Sequence, residues 1–249
     1  MRHLDSSVYR NESLYPSGSY IENMFNESWP WKRDLYAAAD RLEKARLGLP
    51  EILNQVEAGN TDEEDAYIIE TEATYEVERD VMYGAFAVRR LLGMPSKVTK
   101  QTRESKATVA NFPLRVGAKA PDISDAFGNL DMYDFQIPVN TVINVNKLCD
   151  LFVHSFVLFF LYAPQGLSVN NWECLDENDS ETEQKPTELA GWLVASDKSS
   201  KHHLTFVPLP ELVRVMRNFA VDDVTQVTGH RDKKGRMHYT ASKPRKVNI

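Results

Sequence analysis

The chain has 249 residues, 42% of them hydrophobic and 26% charged, with a formal net charge of −7, which is ordinary for a protein able to bury a core. Its only cysteines, Cys149 and Cys174, lack metal-ligand neighbours at zinc-site spacing, which argues against a disulfide scaffold or a zinc module. The N-terminal MRHLDSSVYRNES has no apolar stretch of signal-peptide type, and the longest apolar run, Leu151 to Ala163, is too short for a bilayer, so a cytoplasmic protein with no membrane partner is expected.

Residues 1–27 mix Asn, Ser, Tyr and Gly without periodicity and read as an irregular arm. Ser28 is a suitable N-cap, Pro30 and Trp31 open a helix, and Leu35, Ala38, Ala39, Leu42 and Ala45 recur at helical spacing as far as Gly48. Pro50 interrupts the pattern, and a short helix is expected from Glu51 to Gly59. Thr61 followed by Asp62, Glu63 and Glu64 forms a capping pattern for a long helix from Asp62 to Leu92, stopped by Gly93 and Pro95. One stripe of that helix runs Ile68, Glu72, Tyr75, Arg79, Met82, Phe86. Glu72 and Arg79 either edge the stripe with their heads in water or turn inward to meet other buried polar groups.

Lys97, Lys100, Arg103 and Lys106, spaced every three residues, suit a short solvated basic helix; residues 107–116 read as extended, with a turn at Phe127 to Leu130. From Thr141, the residues Val142, Val145, Leu148, Leu151 and Phe152 fit one face of a helix, giving way to a buried strand over Phe156 to Tyr162. Seven acids and one Lys between Glu173 and Glu188 read as a solvated loop. Gly191 to Ser196 and His202 to Val207 form a hairpin around Asp197 to Ser200, followed by a helix with Leu212, Val213, Val215, Met216 and Phe219 on its apolar face.

From Val224 to Ile249, seven basic residues (Arg231, Lys233, Lys234, Arg236, Lys243, Arg245, Lys246) stand against Asp232, a net of +6 that leaves −13 for the rest of the chain. This tail is either a solvated terminus or a contact for nucleic acid or an acidic partner. It reads as another hairpin, Val224 to Thr228 and Arg236 to Thr240, with His230 and His238 flanking the Lys-rich turn. The elements together specify an α+β fold: long antiparallel helices packed with a small antiparallel sheet and a C-terminal helix. The expected organisation is an arm at 1–27, one domain at 28–223 that is helical over 28–106 and mixed over 107–223, and a basic tail or hairpin at 224–249.

Within the run Asn144 to Tyr162, Asp150 and His154 lie one helical turn apart in apolar surroundings. An Asp so placed can accept an imidazole N–H and prepare the ring for proton transfer; the same geometry also satisfies a core histidine. No Gly-rich phosphate loop, nucleophile elbow or metal-binding helix motif is present, and no cofactor or metal is called for. Trp29, Trp31, Trp172 and Trp192 are scattered, with packing as their default role.

The segment Cys149 to His154 resembles the HEPN family, whose signature is Arg, a polar residue, three variable residues and His. Asp150 and His154 occupy the polar and His positions, and Cys149 stands where that family has Arg. The resemblance implies metal-independent RNA cleavage at a dimer interface, with His154 as acid or base, Asp150 orienting it, Glu72 nearby and Arg79 or Arg89 supplying the missing charge. Two functions from different classes follow: a non-catalytic binding or assembly module, with a homodimer among its options, or a HEPN-like ribonuclease of toxin or defence type.

Overall fold

A computed structural model describes residues 28–59, 62–122, 130–163 and 187–243. The fold is α+β as expected, and two long helices form its first layer: α1, Trp29–Glu57, and α2, Glu63–Leu92. Leu35, Ala38, Ala39 and Leu42 of α1 are fully buried, mostly against α2 and the C-terminal helix. The helix does not stop at Gly48. It continues through Pro50, because Leu49 and Pro50 are themselves buried and tertiary packing outweighs the one lost backbone hydrogen bond. At α2 the N-cap is Asp62, whose Oδ1 accepts from the backbone N–H groups of Glu64 and Asp65; Thr61 lies outside the described residues. Buried residues of α2 begin only at Val77, so its first half overhangs the body.

The expected basic helix shrinks to one turn, α3, Lys100–Arg103, capped by Thr99. Strand β1, Lys106–Pro113, pairs with β2, Val139–Asn144, so residues 141–144 are strand and not the start of a helix. Asn144 ends that strand and caps α4, Val145–Val153, by accepting from Lys147 N–H at 2.8 Å. There follow β3, Ser155–Ala163, β4, Glu188–Ser196, a 3-10 turn at Ser199–Lys201, β5, His203–Pro208, and α5, Leu209–Ala220. The expected turn at Phe127 to Leu130 and most of the acidic run fall outside the described residues, but Glu188 does not: it is buried in β4, where Arg46 of α1 donates to it at 2.7 and 2.8 Å.

The five strands form one antiparallel sheet in the order β2-β1-β5-β4-β3. One face carries the helices over Trp192, Val194 and Val207; the other is covered by Tyr133 and Phe135, with Phe135 4.9 Å from Phe112. Covered on both faces, β4 is buried along almost its whole length. Gly191 sits beside a register shift with φ of 156°, and a Cβ there would stand 2.2 Å from Val207 O, so only glycine fits.

A last hairpin, β6, Gln226–Arg231, and β7, Met237–Ser242, forms a separate two-stranded sheet. Its turn needs Gly235 at φ of 77°. Nearly all its residues are exposed, with Ala241 the buried exception.

Candidate functional site

Helix α4 points Leu148, Cys149, Leu151 and Phe152 into the core. Asp150 falls on its outer side. His154 is the C-cap, where the chain leaves the helix at φ of −117°, and its ring stands exposed. The expectation of a buried polar pair is therefore corrected: the change from helix to strand lets the apolar residues on both sides turn inward while Asp150 and His154 reach the surface.

Arg89, in the last turn of α2, meets both. Its Nη1 lies 2.8 Å from Asp150 Oδ1 and 3.1 Å from His154 Nε2. The N–H is aligned on the imidazole, so Asp150 Oδ1 is held at ion-pair distance without an aligned hydrogen bond; Asn146 Nδ2 donates to Oδ2 at 3.0 Å. A guanidinium has only donors, so this contact is a hydrogen bond only with Nε2 as the acceptor, which corresponds to the Nδ1–H tautomer. Asp150 and His154 are thus joined through Arg89. With the Arg89 and Asp150 side chains 41% and 38% exposed, the cluster contributes little to stability and stays open to solvent.

Glu72 and Arg79 are not part of it. Both are exposed and line an open groove with Ile52, Gln55 and Val56 of α1, and Arg79 lies 3.7 Å from Asp80. Ten residues of helix separate Arg79 from Arg89, about 15 Å along the axis, and Glu72 is about 25 Å away. Cys149, where the HEPN pattern has Arg, is buried, and desolvation pushes its thiol up to about 12.

The second chemically marked region is the hairpin. Arg231, Lys233, Lys234 and Arg236 gather at its turn, and the rings of His230 and His238 stack across the strands at 5.3 Å. The one acid there, Asp232, is consumed in building the turn. Its Oδ1 accepts from the N–H groups of Lys234 and Arg236 at 2.8 and 2.9 Å, and Oδ2 lies 3.0 Å from His238 Nε2. The His238 hydrogen bond, then those backbone bonds, hold the Asp232 carboxyl below its usual range.

The hairpin is tied down at its base by Asp222, which the sequence does not single out. Its buried carboxylate accepts from Thr99 N–H at 2.6 Å and Thr99 Oγ1 at 3.1 Å and pairs with Lys243 Nζ at 3.2 Å, while Lys32 donates to its carbonyl. Lys243 is therefore a structural cation as well as part of the basic tail; Arg245 and Lys246 lie outside the described residues.

Among the described residues, no group of three or more His, Cys, Asp or Glu side chains is placed to hold a metal ion, and no helix is long and apolar enough to cross a membrane. No family model, curated protein or solved structure matches the chain.

Proposed function

We propose that this protein is a non-catalytic nucleic-acid-binding module whose contact element is the β6–β7 hairpin. One observation carries the reading: an exposed two-stranded ribbon presents four cations around one turn, and its single acid is spent on turn hydrogen bonds. An isolated exposed hairpin gains little from burial, so basic residues interleaved with Tyr239 and two stacked histidines suit contact with phosphates and bases. The acids of the overhanging half of α2, such as Glu63, Glu64, Asp65, Glu70 and Glu72, repel a polyanion from that part of the chain. The test is anisotropy binding of labelled oligonucleotides to wild type and to the variant with Lys233, Lys234, Arg231 and Arg236 changed to Gln. Loss of binding with an unchanged fold supports the reading, and equal binding refutes it.

A second reading, a HEPN-like metal-independent ribonuclease, is favoured by the arginine at His154. In that chemistry His154 takes the proton of a ribose 2′-hydroxyl, and the 2′-oxygen bonds to the adjacent phosphorus as the P–O5′ bond breaks. The departing 5′-oxygen takes a proton from water to leave a 2′,3′-cyclic phosphate, and Arg89, in place of the absent Arg at Cys149, stabilises charge on the phosphate. Arg89 must first release Nε2. Cleavage of RNA in chelator by wild type but not by His154→Ala supports it, and equal behaviour of the two removes His154 from any such mechanism.

A further inference from the structure

The N-terminal turns of α1 carry Trp29, Lys32, Arg33 and Tyr36, spaced so that they share one face of the helix. That face is not packed into the core: Trp29 is 64% and Tyr36 44% exposed. They line a cleft of about 630 Å³ closed on its other side by Lys97, Val224 and Val227, the last of these a residue of β6. The Arg33 guanidinium lies 5.0 Å over the Trp29 ring. Lys32 is fixed by donating to the Lys97 and Asp222 carbonyls. The acids nearest are already engaged, Asp34 with Arg33 at 2.7 Å and Asp222 with Thr99 and Lys243; Asp223 is the exposed one.

Trp29 and Tyr36 lie about 10 Å apart along one helix, both exposed, with Arg33 covering one face of the Trp29 ring, and this spacing suits the stacking of bases better than the docking of a duplex. The cleft is continuous with the hairpin, because Val227 belongs to both. We propose that it takes unpaired bases, so that the ligand is single-stranded nucleic acid running from the cationic turn onto Trp29 and Tyr36. This rests on the reading of the hairpin as a nucleic-acid contact and names the class of strand it takes.

The experiment compares anisotropy titrations of single-stranded DNA and RNA of about sixteen nucleotides with those of the matching duplexes. The proteins are wild type, Trp29→Ala, Trp29→Phe and Tyr36→Ala. The expected result is tighter binding of single strands, weakened about tenfold by Trp29→Ala and restored by Trp29→Phe, with duplex binding unchanged. Equal affinity for both forms in wild type, or an equal loss for both in Trp29→Ala, overturns the inference while leaving the hairpin reading in place. Wild type that binds neither form overturns both.

Discussion

Arg89 Nη1 lies 3.1 Å from His154 Nε2, a contact that needs Nε2 as the acceptor. The structure predicts the Nδ1–H tautomer for His154 at about pH 8, readable from its ring nitrogen shifts. Arg89→Met should release the ring to a mixture of tautomers, with a stability loss of about 1 kcal/mol or less because both groups face solvent. A ring protonated at Nε2 in wild type contradicts the contact.

Cys149, Tyr133 and Tyr162 all have their acid groups pushed up by burial, the thiol from 9.0 to about 12 and the two phenols from 10.0 to about 12. Between pH 9 and about 12 the unfolded chain releases protons that the folded chain keeps, so the contribution of these three groups is full below pH 9 and is lost as pH rises through that window. His203 acts at the other end. Its pKa is lowered from 6.5, chiefly by desolvation, so the unfolded state binds the extra proton and stability falls as pH drops below 6.5. Denaturation midpoints across pH should trace that dome. In a Cys174→Ser background, a thiol reagent at about pH 8 should modify Cys149 only after unfolding; rapid labelling of the native protein contradicts its burial.

Asp222 couples the hairpin to α3. Asp222→Ala leaves Thr99 N–H and Lys243 without their partner and should cost about 1–3 kcal/mol. The loss should be local first, with amide exchange of β6 and β7 rising more than that of β4. Uniform exchange across both regions contradicts the clamp.

Much of this fold was legible locally. The β4–β5 hairpin, α5 and the turn at Gly235 follow from periodicity and turn chemistry read over a few residues. Where the reading departs from the structure, a distant partner decides. Val142 fits the helical face that Val145 and the residues after it do form, yet pairing with Thr108 and its neighbours makes 139–144 a strand, with Asn144 the boundary signal. Glu188 looked like part of an acidic loop because its partner, Arg46, is 142 residues away. Likewise the spacing of Asp150 and His154 was visible, whereas the arginine between them comes from 65 residues before the histidine. Glu72 and Arg79 were drawn toward the pair by their place in an apolar stripe, but Glu72 lies before the first buried residue of α2 and Arg79 falls on the exposed side of the helix between buried Val77 and Asp80, so no packing turns them inward.

The most direct test of the account is the salt dependence of oligonucleotide binding. Four hairpin cations contacting single-strand phosphates predict a log–log slope of about −2.8, reduced to about −1.4 when Lys233 and Lys234 are changed to Gln. An unchanged slope in that variant contradicts the assignment of the hairpin as the nucleic-acid contact.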